Sequence, residues 1–581
     1  MGLVFPVLVT STPAYIHPHI ILIYYKRVQL KGGHFNIDFS PLLQVGCSIT
    51  SAHYCFCILN ITMDGDTVTP LRTEQLYTVM PAQSLQNLFG GITIPQNPGL
   101  AKNNWSSAHQ DSYCSESVKL TGPTGKKLRL IIQRNPYGFT GVMACNRNNQ
   151  MIGVSFQRQL FRLVVFDSEC NILSATVTGR RPPNSFGGGY FFLNSNDDSV
   201  AVSNSKLACF PTRHVAKQAS VHSLDPIWTS EDLVLMVTKS DENSIYTAMP
   251  VWQHGDCDLY WVLLPGSYDF DNSSLKSSAF IAVVEITPDC KERNGCRTKV
   301  LDSLKLHHQW VNNTMAVSDQ GVFVVTNACD HSGACTSGYL HSIGFDLKTN
   351  KIKPNWSRAY QNSGYLKVGQ RNIGSGTTPT LFQGEDGTNL VAITDNAYPR
   401  MNVVIYNRDN GKIVDEVPVF PKMRGCDEAS VIGVNGYVVV ENNFGHTVEL
   451  LNSQYVPNEP GLAMIKVNSS GGSEIVWETN GYPSGFFAMA MLARESGIIF
   501  AHTGNWNVPD SSTKGALYSI VAIDSWDGRI IWRIPLGQGK DYCHEYGGVY
   551  FNRTDSGTSL FLGTRRFLVS IQNYETILEA D

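Results

Sequence analysis

The chain has 581 residues, of which 16% are charged, and a formal net charge of −4. That mixed balance, with no Lys/Arg block, excludes a nucleic-acid-binding surface. Fifty Gly, 27 Pro, 24 Tyr and 26 Phe without a sustained helical period describe many short strands and turns and exclude a helical domain, while the length admits several ordinary domains or one large repeat architecture.

Residues 1–27 open the chain as an apolar leader. The first 25 carry no Lys, Arg, Asp or Glu, but Pro6, Pro13 and Pro18 interrupt them, and Lys26 and Arg27 follow the apolar part. A signal peptide wants its basic residues first and a spanning helix wants fewer prolines, so a signal or anchor role stays open. Only such an anchor would give the chain a membrane contact. Residues 28–114 show no repeat and read as an irregular N-terminal extension or cap, in which Cys47, Cys55 and Cys57 have no evident partners.

From about residue 115 to 575 two patterns recur. One is a strand, a polar turn and a return strand: Val165 to Ile172, Phe345 to Ile352, Ile405 to Ile413, a looser copy from Met464 through Gly471 and Gly472 to Trp477, and the fullest copy at Ala522 to Trp532. In that copy Asp524 enters a tight turn, Gly528 supplies positive φ, and Trp532 returns on the next strand. The other pattern is an apolar run that stops on polar residues: Gly321–Asn327, Leu390–Asn396, Tyr437–Asn443, Gly497–Thr503 and Leu560–Arg566, with Ser199–Asn204 and Leu233–Lys239 as diverged equivalents. Runs apolar on both faces suit strands buried between two layers. A period of roughly 45 to 70 residues is that of four-stranded blades, so the pattern predicts an all-β fold, a single seven- or eight-bladed β-propeller over 115–575 with 576–581 as a tail.

The fullest copy, A-x-D-x-x-D-G-x-x-x-W-x-x-x-x-G over Ala522–Gly537, resembles the tryptophan-docking repeat of the quinoprotein (PQQ-dependent) alcohol dehydrogenase superfamily. The resemblance implies a propeller with PQQ at its funnel, Ca²⁺ held by Glu and Asn, and an Asp as base. It also requires a vicinal Cys pair and a Trp-rich floor, which this chain lacks, so PQQ is not expected.

Cysteine spacing speaks to compartment. Cys290 and Cys296 bracket an Asn294-Gly295 turn, and Cys329 and Cys335 bracket a loop of the same length; both pairs are expected as disulfides, which implies an oxidising, secreted or extracytoplasmic setting. Sequons at Asn60, Asn104, Asn272, Asn312, Asn355, Asn468 and Asn552 are compatible with a glycoprotein.

Superposing the apolar runs groups the polar residues at their ends into a candidate funnel. Asp395, Asn396, Glu441 and Asn442 are the candidate Ca²⁺ ligands, since that cation takes carboxylate and amide oxygens from several segments. Asn327, Asn443 and Arg565 are candidate contacts to a small polar ligand or carbohydrate, and His502 is a candidate general base. The plain alternative is that these groups cap strand ends. Whether the chain is an enzyme stays open among a PQQ-type oxidoreductase, a Ca²⁺-dependent lactonase-like hydrolase and a non-catalytic binding propeller.

Overall fold

The computed structural model describes residues 63–574 apart from 65–66, 69–71, 104, 181–188, 241–242, 253–258, 270–273, 289–295, 331, 371–372, 446–460, 480–487, 506–516, 545–546 and 555–556. The leader, Cys47, Cys55, Cys57 and Cys290, and the sequons at Asn60, Asn104 and Asn272 therefore lie outside the described residues.

Successive antiparallel sheets follow one another around a ring, giving an all-β, eight-bladed β-propeller. Blade 1 closes the ring from both chain ends. Its three inner strands, Tyr550–Thr554, Gly557–Gly563 and Phe567–Asn573, come from the C-terminus, and Lys127–Arg134 and Arg72–Thr78 complete it from the N-terminal side. Strand Arg72–Thr78 thus belongs to the ring although it lies in the stretch read as a cap. Arg129 of this blade holds Glu74 beside it and Glu169 of blade 2, and the Arg129 hydrogen bond lowers the Glu74 carboxyl below its ordinary range. Blades 2 to 8 run in chain order over 139–180, 191–229, 247–306, 309–361, 380–419, 432–479 and 491–538.

The apolar runs are the second strands of their blades: Gly321–Ala328, Asn389–Thr394, Tyr437–Glu441, Ile498–Asn505 and Gly557–Gly563. Neighbouring strands flank each one within its sheet, and adjacent blades cover both of its faces, so nearly every described side chain in them is buried. One diverged run is corrected. Leu233–Thr238 is a short helix between blades 3 and 4, because Asp232 accepts from the Leu235 N–H as its N-cap and Lys239 ends it in the left-handed region at φ 62°.

The strand–turn–strand copies join third and fourth strands, and tryptophans dock across blades onto two of these turns. Trp477 of blade 7 donates its indole N–H to Ser525 O of blade 8 at 3.0 Å and lies over Gly528, where an added Cβ would stand 2.9 Å from the ring at φ +73°. Trp356 of blade 5 donates to Arg408 O of blade 6 at 2.9 Å and lies over Gly411 in the same way. Trp532 is buried against Phe500, in the apolar cluster that blade 8 shares with blade 1. Gly528→Ala is expected to destabilise by about 1–2 kcal/mol. The cost should shrink in a Trp477→Ala background, where the ring no longer opposes the methyl. Denaturation midpoints of the four proteins in this double-mutant cycle check it, and additive losses would separate the glycine from the indole.

Candidate functional site

A propeller axis is framed by the free edges of its innermost strands, which need hydrogen-bond partners or water. Here the partner is the chain's own N-terminal segment. Residues 105–118 make one circuit inside the ring, and every one of them is buried. The carbonyl of Trp105 accepts from Cys145 of blade 2, Ser106 from Leu193 of blade 3, Ser112 from Val317 of blade 5, Tyr113 from Leu381 of blade 6, Ser115 from Gly433 of blade 7 and Glu116 from Leu492 of blade 8. Each donor lies on its blade's innermost strand, and the contacts follow blade order. Just upstream, Asn97 donates its Nδ2 to Pro250 O of blade 4 at 2.8 Å, and the Trp105 ring packs on Tyr550 and Phe551 of blade 1. Five serines in fourteen residues suit so narrow a passage. Gln110, Cys114 and Glu116 take positive φ there, a conformation L side chains adopt only where surroundings impose it.

The segment carries the titratable groups nearest the axis. His109 Nδ1 contacts Glu116 Oε1, and Ser430 of the loop entering blade 7 donates to the same oxygen. Thr378 lies 3.3 Å from His109 Nε2, and Tyr190 stacks on the imidazole. Serine and carboxylate meet at the same ring nitrogen, whereas a nucleophile–base–acid relay needs them at opposite nitrogens. Asp111 accepts from Tyr113 N, Ser115 N and Ser115 Oγ, yet burial pushes its carboxyl up to about 6.

The funnel residues named from the sequence occupy a different layer. Because their runs are second strands, their ends stand one strand out from the axis and turn onto the loops that enter the innermost strands. Asn396, Asn442 and Asn443 converge on one such loop: their side-chain oxygens accept from Asp427 N at 2.8 Å, Cys426 N at 3.2 Å and Glu428 N at 2.9 Å. Asn327 reaches the loop entering blade 6, donating to Ser375 O and accepting from Ser375 N and Tyr360 Oη. Glu441 Oε1 accepts from Ala490 N, in the loop entering blade 8. His502 Nε2 donates to Tyr542 O at 3.1 Å, ahead of blade 1, and its ring stacks on Tyr518. Half-buried Arg565 uses its backbone N–H on Cys543 O.

Asp395 stays local. Its Oδ1 accepts from Ala397 N and Asn402 N and its Oδ2 from Asn402 Nδ2 at 2.6 Å. Burial raises Asp395 to about 6 and Asp427 to about 7, and lifts Glu441 well above its usual range. Among the described residues no group of three His, Cys, Asp or Glu side chains stands placed to hold a metal ion.

Cys329 and Cys335 are joined as expected. Cys296 carries a thiol 3.0 Å from Thr229 O, and Cys290, its expected partner, lies outside the described residues. On the opposite face, where first strands turn into second ones, a recess of about 230 Å³ opens between blades 4 and 5, lined by Trp252, Asp319, Phe345, Asp346, Lys353 and Asn355 among others.

No family model matches the chain, and no curated protein matches it. Solved structures similar to it include the WD40 domain of SCAP from fission yeast (11% identity over 76% of this chain and 98% of that one, TM-score 0.37). BamB from Moraxella catarrhalis matches at 12% identity over 74% and 93%, with a TM-score of 0.34. The dihydro-heme d1 dehydrogenase NirN in complex with DHE matches at 10% over 78% and 79%, with a TM-score of 0.38. At these scores the likenesses carry no argument about chemistry or partners.

Proposed function

We propose that the chain is a non-catalytic binding propeller that recognises its partners through its faces. The observation supporting this reading is the axial circuit of residues 105–118, which takes the place where an open propeller would present a ligand funnel, while the polar strand ends are engaged in hydrogen bonds to loops. A small polar ligand or a glycan would instead find aromatic and polar groups together in the recess between blades 4 and 5. Disulfide-bonded Cys329–Cys335 and the exposed sequons Asn355 and Asn468 favour a secreted or extracytoplasmic setting.

The competing reading gives the strand ends to Ca²⁺ through Asp395, Asn396, Glu441 and Asn442, with His502 as base and a lactonase-like or PQQ-type reaction. Thermal melts of the full chain with Ca²⁺, with chelator and with PQQ separate the two, because a bound ligand stabilises the native state by mass action. The binding-propeller reading expects melting temperatures indifferent to all three, and Asp395→Asn/Glu441→Gln altering stability equally with and without Ca²⁺. A Ca²⁺-dependent rise that this double variant abolishes would transfer the function to the strand-end ring.

A further inference from the structure

The turn between the third and fourth strands of blade 7 carries Asn468, Ser469 and Ser470, an N-x-S acceptor for N-glycosylation. Of the sequons within the described residues, Asn468 is the one whose side-chain nitrogen has no hydrogen-bond partner among those residues. Asn552 is 3% exposed and donates its Nδ2 to Asn149 O at 2.7 Å, and half-buried Asn312 donates to Ser375 O at 3.3 Å. Asn355 is exposed, but it donates to Gln320 O at 3.0 Å and to Ser342 Oγ at 3.2 Å.

At exposed Asn468 the oxygen is the engaged end. Its Oδ1 accepts from Ser470 N at 3.1 Å and from Ser470 Oγ at 2.7 Å, and Gly471 N closes the turn on Asn468 O at 2.9 Å. With Oδ1 held against its own turn, Nδ2 is left to solvent. Gly472 follows at φ +79°, where an added Cβ would meet nothing within 4 Å.

Glycosylation takes one N–H from an asparagine. Nδ2 bonds to C1 of an oligosaccharide delivered as its lipid pyrophosphate ester, the C1–O bond to phosphate breaks, the lipid pyrophosphate leaves, and one amide proton is released. Asn312 and Asn552 are withdrawn from the surface, and Asn355 has both N–H groups in use. Asn468 loses nothing.

The same turn stands beside an apolar edge. Ile475 and Val476, 40% and 43% exposed, follow it on Glu474–Thr479, the outermost strand of blade 7. Ser473 N donates to Asp415 Oδ2 at 2.6 Å, which brings the turn against Ile413–Val419, the outermost strand of blade 6, where Ile413 is 39% exposed. An outermost strand has a free edge, and exposed Ile and Val on it invite pairing with another chain. A bulky, soluble oligosaccharide at the turn would keep such a partner off.

We infer that Asn468 carries an N-linked glycan that screens the outer edge of blades 6 and 7 around Ile413, Ile475 and Val476. The inference rests on the extracytoplasmic setting proposed above, because the transfer takes place in the secretory lumen.

The full chain, directed into the endoplasmic reticulum of eukaryotic cells by an added signal sequence, tests it. Peptide mapping is expected to find a glycan on Asn468 that peptide N-glycosidase removes, leaving an aspartate in its place. Asn468→Gln and Ser470→Ala should each abolish it, and Ser470→Ala carries the test if Asn468→Gln fails to fold. Light scattering should show more self-association in both variants and in folded wild type stripped of its glycan. Ile475→Lys/Val476→Lys in the Ser470→Ala background should reverse that rise. A bare Asn468 in the lumenal protein, or stripped protein as monomeric as the glycosylated form, overturns the inference. In protein taken from its own cells, reduced thiols at Cys329 and Cys335 would withdraw the extracytoplasmic setting and the glycan with it. An intact bond there beside a bare Asn468 would defeat the glycan alone.

Discussion

Trp105→Ala is expected to cost about 3–5 kcal/mol of stability, the range for emptying a fully buried large aromatic site. Trp105 is 0% exposed, its centroid lies 5.0 Å from that of Tyr550 in an edge-on contact, and its indole N–H has no hydrogen-bond partner among the described residues, so the loss is one of packing. It sits where the axial circuit begins, and the carbonyls that follow satisfy innermost-strand amides of blades 3, 5, 6, 7 and 8. Loosening the start should therefore be felt around the ring. Amide exchange should accelerate at Leu193, Val317, Leu381, Gly433 and Leu492 in the variant, while second-strand amides such as those of Val391 and Val439 keep their protection. Trp105→Phe, which retains an aromatic ring, should recover most of the stability. A loss below about 1 kcal/mol, or exchange unchanged at those five amides, would make the segment an appendage that merely lies in the channel.

The ring and its blade turns were legible because they repeat. Ala522–Trp532 spans the third and fourth strands of blade 8 as its pattern requires, since an Asp before a tight turn and a Gly after it specify local geometry whatever the rest of the chain does. The apolar runs were legible as strands, but their place one position out from the axis was not. A strand buried on both faces has the same composition in the second position of a blade as it would in the first. That single displacement moves Asn327, Asn396 and Asn443 from the edge of a funnel to the loops beside it. The helix at Leu233–Thr238 was misread for a related reason: a short apolar run fits either element, and the Asp232 cap that decides it is one residue.

The axial circuit left no periodic trace. Residues 105–118 are mostly small and polar, a composition indistinguishable from that of an exposed loop, and their burial depends on eight blades that the segment itself helps to close. Trp356 was missed as a docking residue because it follows the turn residue Asp346 by ten positions, whereas Trp532 follows Asp524 by eight. A signal does exist there: a Trp on a fourth strand, followed one blade later by a turn containing glycine, as Trp477 and Gly528 also show.

Stability should fall as pH rises from 6.5 to 8, opposite to the trend set by carboxylates held in ion pairs. Burial raises Asp111 and Asp395 to about 6 and Asp427 to about 7, and takes Glu441 well above its ordinary value. In the unfolded chain these groups titrate near 4. Above that pH the native state therefore holds more protons than the unfolded state, and each such group removes about 1.4 kcal/mol of stability per pH unit until its folded pKa is passed. Two imidazoles oppose this at lower pH. His341 is pushed down to about 4 and His544 is also lowered, both chiefly by burial, so the unfolded state takes up their protons first and acidification below about 6.5 costs stability. Between pH 4 and 6 four carboxyls outweigh two imidazoles, which leaves a net decline with rising pH. Above 6.5 the imidazoles are neutral in both states and drop out, leaving Asp427 and Glu441 to set the slope. A loss of about 1–3 kcal/mol is expected between pH 6.5 and 8, read as a falling melting temperature. Asp427→Asn should flatten that slope without abolishing folding, because Asp427 Oδ1 already accepts from Ala429 N and an amide oxygen can replace it there. A melting temperature that stays level or climbs across this window would mean that the carboxyls of Asp427 and Glu441 are ionised in the native state, and with that their burial without a counter-charge would need a cation.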